Sequence, residues 1–385
     1  MASLCALAVV GGLCLPLVAG CSTTVAGVSP RQMSELKGSD VVTGDRFGTS
    51  VAISGATAVV GSPGGGSAYV FKKTAAGWSQ VAELKGSDAT GGDYFGAAVA
   101  VSGSTIAVGA YDQAKNAGRA YVYEKRAAGW SQVAELKGSD TVANDYFGWS
   151  VAISGSSIIV GAVGHAKYTG SAYVFSRRAS GWTQTAELEG SGTTTEDGFG
   201  TSVAIAGTAA IVGAEGYGKG RGRAYVFTET GSTWTQAAEL KASESVADDN
   251  FGASVAISPE TAVVGAYGKA ASAGRAYVFE NTGTGWEQTA ELKGSDTIAG
   301  DYFGISVAIS GKSIVVGAYG HSNLAGRAYL FEHTGTGWRQ TAELKGSNTK
   351  AGDYLGVSVA ISGTTAVTGA YDLAKDMGGA YVFKT

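Results

Sequence analysis

Charge is scarce in this chain, and what is missing frames what the chain is. Asp, Glu, Lys and Arg make up 16% of its 385 residues, against the ~25% usual in soluble domains. The net charge of −4 comes with no basic stripe, which argues against nucleic acid as the main partner. Proline occurs four times, too rarely for a collagen-like or Pro-rich disordered chain. The three cysteines, Cys5, Cys14 and Cys21, all fall at the N-terminal end, so the remainder offers no disulfide and no thiol chemistry. Histidine is limited to His165, His321 and His333. With no Ser/His/Asp grouping, zinc-ligand spacing or phosphate-cradling loop, the sequence reads as non-enzymatic, with no metal site and no cofactor. Carboxylate pairs of the glycosidase kind stay open as an alternative, since a folded ring brings distant residues together.

What the chain has in excess is glycine, 61 residues, more than twice the usual ~7%. Gly and Ser interrupt short runs of Val, Ala, Ile, Tyr and Phe, a pattern of many short strands and tight turns. Residues 1–20 carry no charge, are mostly apolar, and end in Leu17-Val18-Ala19-Gly20 before Cys21. This resembles a bacterial lipoprotein signal peptide, which implies cleavage after residue 20, lipid on Cys21 and a short tether over 21–31. The expected location is a bacterial cell surface or outer membrane. No Lys or Arg precedes the apolar run, a departure from export signals. An ordinary secreted chain and an uncleaved anchor helix are therefore the alternatives.

Internal repetition decides the fold. The motif Asp-x-Phe-Gly recurs from Asp45, Asp93, Asp145, Asp197, Asp249, Asp301 and Asp353, spaced by 48 once and then by 52 five times. In the second copy, four runs (97–101, 105–109, 120–123 and 130–137) read as strands separated by turns. Seven four-stranded units of ~50 residues predict an all-β, seven-bladed propeller over 32–385. In Ala68-Tyr69-Val70-Phe71, alternation puts small residues on one face and bulky ones on the other, as stacked blades require. The fourth strand alternates Trp78, Gln80, Ala82 and Leu84 with Ser79, Val81, Glu83 and Lys85, the pattern of a charged outer edge. A stacked solenoid is the rival, but it would need distinct capping repeats. The last copy stops at Phe383 without its Trp-containing strand, while Gln32-Met33-Ser34-Glu35-Leu36-Lys37 matches Gln80–Lys85. An N-terminal strand is thus expected to close the ring.

Phe-Gly, then Val-Ala-Ile, Val-Val-Gly-Ala and Gly-Arg-Ala-Tyr-Val-Phe resemble the FG-GAP repeat of integrin α-subunit propellers and bacterial surface proteins. The resemblance runs from residue 32 to the end, with Leu355 replacing Phe in the last copy. It implies a ligand face made by the connections from second to third strand and from blade to blade. The calcium loops that such repeats carry between the first two strands are replaced here by Ser-Gly turns such as Ser54-Gly55 and Ser102-Gly103. Paired acids such as Asp40 and Asp45 read chiefly as turn-makers, with a cation as the alternative.

The second-to-third-strand loops differ most between copies. Tyr111, Tyr267, Tyr319 and Tyr371 occupy matched positions there, and His165 and His321 lie in the same loops. These six are the candidate ligand-binding residues, because Tyr combines apolar area with a hydroxyl. The first copy, Ser62-Pro63-Gly64-Gly65-Gly66, is four residues shorter and leaves a notch in the rim. Two function classes follow. One is a surface-exposed, lipid-anchored binding or adhesion module for a protein or carbohydrate ligand; the other is an envelope scaffold holding a partner protein.

Overall fold

A computed structural model describes residues 30–385. The signal segment, most of the tether and Cys21 lie outside the described residues. Seven four-stranded antiparallel sheets are arranged as blades, and six of them are continuous in sequence. Blade 2, for example, runs through Ala98–Ser102, Thr105–Ala110, Arg119–Arg126 and Gly129–Leu136, close to the expected bounds. The seventh is composite. Its Val359–Ser362, Thr365–Ala370 and Gly379–Lys384 are completed by Arg31–Leu36, which pairs antiparallel with Gly379–Lys384. That strand begins one residue earlier than the sequence suggested.

Blades stack bulky face against small face. Val59, Ala68 and Val70 of blade 1 form one core with Phe95, Ile106, Tyr121 and Tyr123 of blade 2. Across the seam, Leu36, Ala380 and Val382 pack with Phe47, Tyr69 and Phe71, so the same contact closes the circle. Polar contacts repeat around the ring as well. Ser150 Oγ donates to the Gly200 carbonyl at 2.8 Å, and Ser358 Oγ makes the equivalent bond across the seam to Gly48 at 2.9 Å. The Gln184 side chain accepts from the Ser139 N–H at 2.9 Å, and Gln32 accepts from Ser347 at 2.8 Å in the composite blade.

The Phe-Gly pair explains itself. The Phe ring is fully buried in blades 1 to 6, and the following Gly turns the chain into the first strand with φ near +95°. A Cβ on Gly148 (φ +94°) would stand 2.2 Å from the Arg119 carbonyl oxygen of the preceding blade. Only glycine fits there.

Candidate functional site

The long-loop face is built by two loop types that latch neighbouring blades. Each lead-in loop is shaped by the Asp of Asp-x-Phe-Gly, whose carboxylate accepts the N–H three residues upstream. Examples are Val42 to Asp45 at 2.8 Å and Lys350 to Asp353 at 2.7 Å. The earlier acid has a separate role. Asp40, Asp88, Asp140 and Asp296 accept from the buried Tyr69, Tyr121, Tyr173 and Tyr329 hydroxyls at 2.7–2.9 Å, and Asn348 accepts from Tyr381 at 2.6 Å. Where Gly192 and Glu244 stand instead, the Tyr225 and Tyr277 hydroxyls are buried without a partner.

The second-to-third-strand loops contain a feature the sequence did not announce. In blade 2 a four-residue helical turn, Gln113–Asn116, has Ala114, Lys115 and Asn116 at φ of 55, 62 and 64°. The turn is left-handed, and five other blades repeat it. Such residues each cost about 1–2 kcal/mol. Bonds to the next blade offset this, as when the Asn144 and Tyr146 N–H groups donate to the Lys115 and Asn116 carbonyls at 3.2 and 2.8 Å.

These latches present an aromatic crown. The residue between Asp and Phe-Gly is itself left-handed, with φ of 55–58° at Tyr94, Tyr146, Tyr302 and Tyr354. This places each ring beside the tyrosines of the longer loops. Tyr94 stacks on Tyr111 (centroids 5.3 Å), Tyr302 on Tyr319 (4.9 Å) and Tyr354 on Tyr371 (5.1 Å). Contacts from Tyr267 to Tyr302 (6.2 Å) and from Tyr319 to Tyr354 (5.6 Å) join one arc from blade 5 to blade 7. A second arc runs from Tyr94 through Tyr111 and Tyr146 to Tyr168. Tyr111, Tyr267, Tyr319 and Tyr371 are thus half-buried, each packed against a tyrosine of a lead-in loop.

The crown breaks twice. At blade 1, Arg46 and Pro63 replace aromatics and border a cavity of about 570 Å³ shared with Tyr94, Tyr111, Tyr371 and Asp372. This lies beside the short first loop. At blade 4, Gly198 and Glu215 replace them beside a cavity of about 470 Å³ walled by Tyr146, Tyr168 and Asn250. Trp149 borders both cavities and the channel between the first strands. Its ring is 41% exposed and 4.8 Å from that of Tyr111. Sequence reasoning missed it, although a signal existed. The residue after Phe-Gly is Thr49, Ala97, Thr201, Ala253 or Ile305 elsewhere, and tryptophan once.

Each gap carries a perturbed acid. Burial, then a hydrogen bond to Asp376, pushes Asp372 up to about 6. Burial raises Glu215, against a Thr201 hydroxyl bond at 3.2 Å that lowers it. Burial also pushes Tyr111, Tyr267 and Tyr371 up to about 12 and raises Tyr319, so all four present neutral hydroxyls. His165 and His321 sit apart from both cavities. Their Nδ1 atoms face Asp145 and Asp301 at 3.0 and 2.8 Å, and their rings lie edge-on to Tyr173 and Tyr329.

The FG-GAP repeat family matches seven segments: residues 30–71, 78–123, 130–175, 182–227, 234–279, 286–331 and 338–383. Each match begins in or beside the outer strand of one blade and ends in the third strand of the next, so the repeat is offset from the blade by one strand. No curated protein matches the chain.

Proposed function

The chain belongs to the FG-GAP repeat family, and from that premise we propose that it is a non-enzymatic binding or adhesion module. It takes a carbohydrate or protein ligand on the long-loop face and is held to a bacterial membrane by lipid on Cys21. The observation that carries the binding reading is the interrupted crown. Stacked tyrosines flank two cavities that meet at Trp149, and each holds a half-buried acid. Flat aromatic faces beside carboxylates suit the apolar faces and hydroxyls of sugar rings, and they suit a protein loop equally.

A scaffold reading is favoured by a different observation. Val42, Val142, Val246 and Ile298 occupy matched positions in four lead-in loops and are 61%, 63%, 58% and 68% exposed. Aliphatic groups on one face suit a protein partner. A glycan array probed with purified chain, alongside capture from native envelope, separates the two: selective glycan binding supports the module, and a co-purifying protein with no glycan supports the scaffold. Mass spectrometry of the native N-terminus tests the anchor, with acylated Cys21 expected and an intact Met1 contradicting it.

A further inference from the structure

Blade 3 departs from its neighbours at one corner, where the loop residue His165 meets the lead-in acid Asp140 and the outer-strand acid Glu187. One ligand-type atom from each lies within 4.8 Å of the others. In each of the other six blades the equivalent Glu is paired with a cation. Arg119, Arg223, Arg275 and Arg327 pair with Glu135, Glu239, Glu291 and Glu343 at 2.6–2.8 Å. In blades 7, 1 and 6 a Lys two residues after the Glu pairs with it, Lys37, Lys85 and Lys345 at 2.8–3.3 Å, so that Glu343 of blade 6 has both partners.

In blade 3 both cations are gone. Ser171 stands at the Arg position, where its hydroxyl donates to Glu187 at 3.0 Å. Glu189 stands at the Lys position, which is Lys in every other blade. Blade 6 is the internal control. It has the same trio, His321, Asp296 and Glu343, but Arg327 lies between the two acids at 2.8 and 2.7 Å.

The imidazole is set up as a ligand. The Asp145 carboxylate, itself buried, accepts a hydrogen bond from His165 Nδ1 at 3.0 Å and another from the Val142 N–H at 2.8 Å. That fixes the ring and places Nε2 3.8 Å from Asp140 Oδ2. With Nδ1 committed to Asp145, a neutral ring offers Nε2 as an acceptor beside the Asp140 carboxylate, and a cation between them satisfies both. A carboxylate on the far ring nitrogen is the usual outer-shell support of a metal-bound histidine.

We propose that Asp140, His165 and Glu187 bind one divalent transition-metal ion of the zinc class. One imidazole nitrogen with two carboxylate oxygens suits zinc better than calcium or magnesium, which prefer all-oxygen shells. Three protein ligands leave a fourth position for water or for a donor group on a ligand. The inference stands apart from the binding reading of the crown, because none of the three residues lines either cavity.

Calorimetric titration of chelator-treated, dialysed chain with zinc chloride tests it. One equivalent per chain is expected. It should be lost in Glu187→Gln and in Ser171→Arg, which restores the guanidinium that blades 2, 4, 5 and 6 accommodate at that position. It should be retained in Glu343→Gln, the blade 6 counterpart. Absence of zinc binding, or binding unchanged in both Glu187→Gln and Ser171→Arg, overturns the assignment. Glu187 is exposed, so its isosteric variant reads the site even if Ser171→Arg fails to fold.

Discussion

Replacing Leu36 by Ala isolates the ring closure in one side chain. Leu36 is 2% exposed and sits in the core formed by blades 7 and 1. It occupies the position that Leu188 and Leu240 fill in uninterrupted blades, where they are equally buried. Truncating a buried Leu costs about 2–5 kcal/mol through lost transfer energy and the cavity left behind. If the N-terminal strand is an integral part of blade 7, Leu36→Ala and Leu188→Ala should fall together in that range. Met33, 40% exposed at a bulge in the same strand, should cost no more than about 0.5 kcal/mol as Met33→Ala. Denaturant unfolding gives each value from the shift in midpoint at unchanged slope. Removing residues 30–36 altogether leaves Gly379–Lys384 as an unpaired edge, and self-association by strand exchange is expected on size-exclusion chromatography. A Leu36→Ala protein as stable as the parent, or a monomeric truncation with an unchanged melting temperature, would refute the closure.

Two further outcomes follow from the geometry. Gly148→Ala forces a Cβ to within 2.2 Å of a carbonyl at φ +94°, so a loss of more than about 2 kcal/mol is expected, and a wild-type melting curve would contradict the inter-blade contact. Asp372, raised from 3.8 to about 6, holds its proton more tightly folded than unfolded. The stability it contributes is therefore full below pH 3.8 and is lost as pH rises through about 6. Melting profiles of wild type and Asp372→Asn should converge at low pH and separate above pH 6, with the variant the more stable; parallel profiles would show that the group is not perturbed.

The blades were legible because the repeat is written seven times and alternation is a two-residue pattern. Closure was legible because Gln32, Glu35 and Leu36 keep the identities of Gln80, Glu83 and Leu84. The site was read less well, for physical reasons. Ala114, Lys115 and Leu324 are not residues that announce a left-handed turn, and that turn is held by N–H groups of the next blade that donate to its carbonyls. The tyrosines at positions 94, 146, 302 and 354 occupy the variable position of Asp-x-Phe-Gly, and only their positive φ shows that they turn toward the crown. The partnership of the first Asp with a tyrosine about 30 residues away needed the fold, as did the placement of His165 and His321 against aspartates rather than at the cavities.

The most direct test of the binding account is affinity for the ligand recovered from the array or the envelope, measured for wild type and for Trp149→Ala. The ring is a wall common to both cavities and is partly exposed, so its loss should leave the propeller folded. A central aromatic of a binding site is worth about 2 kcal/mol or more, so binding should weaken by roughly 30-fold or beyond. A folded Trp149→Ala protein that binds with unchanged affinity would place the contact surface away from the crown and contradict the account.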